Sequence, residues 1–103
     1  MAVVTLSDDA IEDLAKIGVW IAGRAGRTVA NSYVDRIEAA CWRLSDYPRR
    51  GTPRDDLAPS LRTITFERRI VIAYRIDADA VRILRVIHNA RDWPPQFMDD
   101  RES

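Results

Sequence analysis

Leu61-Arg62-Thr63-Ile64-Thr65-Phe66, Ile70-Val71-Ile72-Ala73-Tyr74-Arg75-Ile76 and Val81-Arg82-Ile83-Leu84-Arg85-Val86-Ile87-His88 are three runs rich in isoleucine, valine, threonine and aromatic residues. Only Glu67-Arg68-Arg69 and Asp77-Ala78-Asp79 separate them, too little chain for a crossover helix, so the runs read as antiparallel strands joined by hairpins. Alternation puts Ile70, Ile72, Tyr74 and Ile76 on one face and Val71 and Ala73 on the other. It splits the last run into Val81, Ile83 and Ile87 against Leu84 and Val86. Both faces are more apolar than a one-sided sheet needs. A helical layer covers one, and the other calls for either the Trp93-Pro94-Pro95-Gln96-Phe97-Met98 tail or a partner chain.

The helical layer is readable upstream. Val3-Val4-Thr5-Leu6 is a short β-branched run ending at Ser7, an N-cap residue, with Asp8 and Asp9 following where the helix dipole favours acids. Ile11, Leu14, Ala15, Gly18, Ile21 and Ala22 then fall on one stripe, which places a helix over about residues 8–24. Gly26-Arg27-Thr28 reads as a stop followed by a capping threonine. A second stripe of Val29, Ala30, Tyr33, Val34, Ile37, Ala40, Cys41 and Leu44 follows, so the two helices are antiparallel. Residues 46–60 hold three prolines and a glycine without periodicity and read as a loop. The chain is one α+β domain over residues 1–103. It comprises a short strand and helical hairpin (1–45), a loop (46–60), a small antiparallel sheet of three to four strands (61–89) and a C-terminal tail (90–103).

Sixteen basic and sixteen acidic residues cancel, so no global field draws the chain to nucleic acid or lipid. Locally the balance differs, with ten basic and six acidic residues between 49 and 92. All basic residues except Lys16 are arginines, whose forked guanidinium suits carboxylate or phosphate, and a basic surface suited to an acidic partner follows. The lone Cys41 shares the apolar stripe of the second helix and reads as a buried, inert thiol. With no basic-then-apolar leader and no long apolar run, the cytoplasm is the default compartment and no membrane is involved. One histidine, one cysteine and scattered acids supply no metal-ligand spacing, and no glycine-rich phosphate loop implies a cofactor. Trp20 and Trp42 fall opposite the apolar stripes as surface aromatics. His88 reads as a strand-end imidazole bonded to backbone or to a nearby carboxylate, without catalytic work.

The order of strand, helix, helix, loop and antiparallel strands resembles the ParE branch of the RelE/ParE toxin superfamily. The resemblance is carried by Ala10-Ile11-Glu12-Asp13-Leu14 through Trp20-Ile21-Ala22, by Leu44 with Pro48 and Gly51, and by Leu57 with Pro59 and Leu61-Arg62. Ile72-Ala73-Tyr74-Arg75 and Ile83-Leu84-Arg85-Val86-Ile87-His88 running into Arg91-Asp92 complete it, over roughly residues 3–93.

The resemblance implies a toxin neutralised by a small ParD-like antitoxin, in a hetero-oligomer whose toxin–antitoxin pairs are dimerised through the antitoxin. DNA would then be touched only indirectly, through the antitoxin. DNA gyrase is the implied target and no catalytic residue is implied. By the same resemblance Arg62, Arg75, Arg82 and Arg85 hold antitoxin carboxylates, Trp20 and Trp42 contact the antitoxin or a second toxin copy, and His88, Arg91, Trp93 and Phe97 are candidates for reaching the target. The alternative is a RelE-like ribosome-dependent mRNA endonuclease, which needs a general acid and base beside its cations. Here the RelE-like C-terminal tyrosine is missing, since Asp92 and Trp93 follow Arg91. A second alternative is a non-toxic scaffold acting in autoregulation.

Overall fold

The computed structural model describes residues 2–88. Its elements are β1 (Val3–Leu6), α1 (Asp8–Ala25), α2 (Arg27–Trp42), two 3₁₀ turns (Arg43–Ser45 and Pro48–Arg50), β2 (Thr52–Pro53), β3 (Arg62–Phe66), β4 (Ile70–Asp77) and β5 (Ala80–His88). The α+β architecture matches the expectation, and the sheet is larger than three to four strands. It has five, in the order β1-β5-β4-β3-β2. β1 lies parallel to β5, and the other neighbours are antiparallel. The extra strand β2 comes from the segment read as loop. Its Pro53 lacks an N–H, which is tolerated at a sheet edge.

Ser7 starts α1 as anticipated. Its hydroxyl accepts the Ala10 N–H at 3.0 Å and donates to the Leu84 carbonyl at 2.8 Å, so one side chain both caps the helix and ties it to β5. The helix-to-helix turn departs from the Thr28 cap. Gly26, at φ +94°, closes α1 through its N–H to the Ala22 carbonyl and also precedes the first residue of α2, which has no side-chain cap. A single residue serves both ends because glycine reaches that φ without a Cβ clash.

Both helices pack on one face of the sheet. Ala10, Leu14 and Ile17 of α1 and Ile37, Ala40, Cys41 of α2 meet Ile70, Ile72, Tyr74, Val81, Ile83 and Val86 in the main core. Val86 and Ile87 exchange the faces that strict alternation assigned them. Ala73 pairs with Arg85 while Tyr74 pairs with Ile83, so Leu84 is one extra residue on β5. Such a bulge inverts the side-chain phase beyond it, turning Val86 to the helices and Ile87 away.

The far face is not left entirely to the tail or to a partner. Residues 54–61 fold over it, closed by Arg54 N–H to the Leu61 carbonyl at 2.7 Å. This puts Leu57, Ala58 and Leu61 in a second buried cluster with Ala73 and Ile87, flanked by Leu84. The apolar residues are too irregularly spaced to register as an element, yet burial of two leucines is enough to seat the loop.

Candidate partner-binding surfaces

The four arginines grouped by the resemblance separate in space. Arg75 and Arg82 are direct cross-strand partners on β4 and β5, on the face away from the helices. Arg75 donates Nε–H to the Pro59 carbonyl at 3.0 Å, and Arg82 is exposed with no ion-pair partner among the described residues. Like charges placed directly opposite repel, so this pair gains from an incoming anion. Arg62 pairs with Tyr74 and sits on the helix-side face, where its guanidinium donates to the carbonyls of Arg49 (3.1 Å) and Gly51 (2.8 Å) and pins the β2 edge.

Arg85 is committed inside the chain. The bulge turns its guanidinium to α1, where Nε and Nη2 fork onto the Asp13 carboxylate at 2.7 and 2.8 Å. The same carboxylate accepts the Val86 N–H at 2.9 Å. Three donors thus satisfy one buried anion, and the site locks α1 to the irregular point of β5. Charge alone did not single out Asp13. The stripe read from Ile11 to Ala22 left Asp13 off the apolar face, whereas α1 buries Ala10, Asp13, Leu14 and Ile17 and leaves Ile11 and Ala15 exposed, because the Asp13 contacts to β5 help set how the helix is turned.

A second node was likewise hidden. The buried Tyr74 hydroxyl donates to the Pro48 carbonyl at 2.6 Å and accepts the Gly51 N–H at 2.9 Å, fastening the start of the loop to β4. Burial pushes the Tyr74 phenol above its ordinary range.

Trp20 and Trp42 are surface aromatics, 43% and 46% exposed. Trp20 is nevertheless engaged. His88 meets its ring edge-to-face at 4.5 Å, and Arg24 lies over it at 4.4 Å from the centroid. His88 therefore takes an aromatic neighbour in place of the anticipated backbone or carboxylate contact. It also lies on the helix side, opposite Ile70, and does not join Arg75 and Arg82 across the sheet. Arg91, Trp93 and Phe97 lie outside the described residues. Cys41 is fully buried, and burial pushes its thiol up to about 12. Among the described residues no His, Cys, Asp or Glu group is arranged to hold a metal ion, and no helix is long and apolar enough to cross a membrane.

Comparison with known proteins agrees with this architecture. Residues 4–93 match the family described as the ParE toxin of the type II toxin–antitoxin system parDE. The chain is 37% identical over 85 residues to toxin ParE3 of Caulobacter vibrioides, covering 82% of this chain and 84% of that protein. Its fold is similar to a solved chain of the chromosomal ParDE TA system from P. aeruginosa, with a TM-score of 0.77 and 24% identity over 86% of this chain and 97% of that one. The overall fold is thus shared with a solved chain of a ParDE system, and the chain belongs to the ParE toxin family of type II toxin–antitoxin systems.

Proposed function

We propose that this toxin is held inactive by a ParD-like antitoxin and, when free, arrests growth by inhibiting DNA gyrase without catalysing a reaction of its own. The observation that carries the antitoxin contact is the cross-strand pair Arg75 and Arg82. Two cations side by side on a sheet face are relieved by a carboxylate between them, and half-buried Val71 and Leu84 supply apolar neighbours for a bound chain. Arg62 and Arg85 serve this surface indirectly, by fixing the β2 edge and the β5 bulge.

The non-nuclease reading rests on the RelE-like tyrosine that is missing after Arg91, where Asp92 and Trp93 stand. Cleaving RNA through its 2′-hydroxyl needs a proton acceptor next to the cations that stabilise the phosphorane.

The test has two arms. Arg75→Glu and Arg82→Glu weaken binding to the antitoxin encoded beside the gene, and the double variant loses at least about 1.5 kcal/mol, as measured for close interfacial charge pairs. Purified toxin blocks supercoiling by gyrase and leaves ribosome-bound messenger intact. Cleaved messenger with unaffected gyrase would overturn the target, and unchanged antitoxin affinity in both charge reversals would overturn the surface.

A further inference from the structure

A different group of cations gathers where β3 turns into β4 and where β5 finishes. Arg24 from α1, Arg69 from the hairpin and His88 line one concavity with a single acid, Glu67, which pairs with Arg36 of α2, and Arg68 stands between Glu67 and Arg69 at the exposed hairpin tip. Arg36 is neutralised by its ion pair with Glu67. Arg24, Arg68 and Arg69 have no ion-pair partner among the described residues, and all three are exposed. Arg24 and Arg69 share a concavity with Trp20, Tyr33, Glu67 and His88. The hairpin tip is also held in an unfavoured shape. Glu67 at φ 49° and Arg68 at φ 65° both lie in the left-handed region, where glycine or asparagine is preferred. Charged residues with a Cβ persist there, at the tip that displays Arg68 and Arg69.

The aromatic groups of this end are already used. Trp20 is covered by Arg24 and His88, and Tyr33 meets Phe66 edge-to-face at 5.7 Å with Arg36 over both rings. Among the described residues the cations themselves lie over these rings, Arg24 on Trp20 and Arg36 on Tyr33 and Phe66, and so take ring faces that a stacked base would use. What remains is positive charge in forked, phosphate-matching form.

We propose that this end of the molecule binds the phosphodiester backbone of duplex DNA directly, through Arg24, Arg68 and Arg69. The contact goes beyond DNA reached through an antitoxin, and it requires neither the antitoxin nor gyrase.

The experiment measures binding of the purified toxin to a labelled random-sequence duplex of about 20 bp by fluorescence anisotropy, from about 50 to about 200 mM salt. Three phosphate contacts give a log–log salt slope of about −2.7, an affinity loss of about 40-fold across that range. Arg68→Gln with Arg69→Gln lowers the slope to about −0.9, and the loss shrinks to about 3- to 4-fold. Arg43→Gln, which removes an exposed arginine after α2, leaves the slope unchanged and separates a local site from overall charge. Melting curves confirm that each variant is folded. Absence of salt-dependent binding would overturn the site, as would parental behaviour of the paired variant. Tighter binding of a single strand, or equal binding of an oligoglutamate of matched charge, would overturn the assignment to duplex DNA. Because gyrase and antitoxin are absent from the assay, none of these outcomes bears on the proposed target.

Discussion

Replacing Asp13 by alanine removes the anion on which three donors converge. The Val86 N–H, buried and bonded at 2.9 Å, is left without its acceptor, at a cost of about 1–3 kcal/mol. The Arg85 guanidinium loses both forked bonds, and breaking a buried pair from one side costs about 3–5 kcal/mol in total. The side chain of Arg85 is 23% exposed, however, so the freed cation recovers part of its hydration by turning outward. The low end of that range applies, about 3 kcal/mol, which is a large share of the roughly 5–15 kcal/mol available to a domain of this size. In urea unfolding followed by circular dichroism, the midpoint falls with an unchanged slope, and the melting temperature drops by about 12–24 °C. Asp13→Asn keeps an acceptor for Val86 and loses only the charge, so it lies between the parent and Asp13→Ala. A double-mutant cycle with Arg85→Ala reports a coupling of about 1.5–3 kcal/mol. A loss below about 0.5 kcal/mol for Asp13→Ala, or simple additivity in the cycle, would refute the assignment of this carboxylate as the lock between α1 and the β5 bulge.

Three further outcomes are expected. Gly51→Ala places a Cβ 2.4 Å from the Tyr74 hydroxyl and 2.8 Å from its ring, and it destabilises the fold by about 1–3 kcal/mol in the same unfolding assay. Tyr74→Phe does not rescue it, because the ring contact persists. Cys41, with its thiol pushed up to about 12 from 9.0, stabilises the folded state fully below pH 9 and loses that contribution as pH rises toward 12, since only the unfolded chain ionises there. Cys41→Ala therefore flattens the alkaline fall in stability, and native Cys41 resists a thiol reagent that labels it in denaturant. Truncation after Asp92 removes Trp93 and Phe97, and induced expression of the shortened toxin leaves growth normal; retained arrest would exclude those residues from the target contact.

Much of this molecule is local in origin. Ser7 with its following acids, the two apolar stripes and the three β-branched runs are short-range patterns, and each specifies its element through the repeat of a helix or a strand. The buried thiol and the surface placement of Trp20 and Trp42 follow from the same periodicities. The extra strand β2 and the loop leucines were harder to read, because a two-residue strand and an irregular loop leave no period to detect. Long-range geometry decided the rest. One additional residue at Leu84 shifts the phase of β5, and no alternation rule shows where a bulge falls. That shift sends Arg85 to Asp13, seventy-two positions away in the chain, and leaves Arg75 and Arg82 as the cross-strand pair. Arginine content alone thus established that cations were available. Strand register and the helix–sheet contact determined which were used inside the protein and which stayed open to a partner, because an ion pair depends on distance in space and sequence spacing constrains that distance only within a single element.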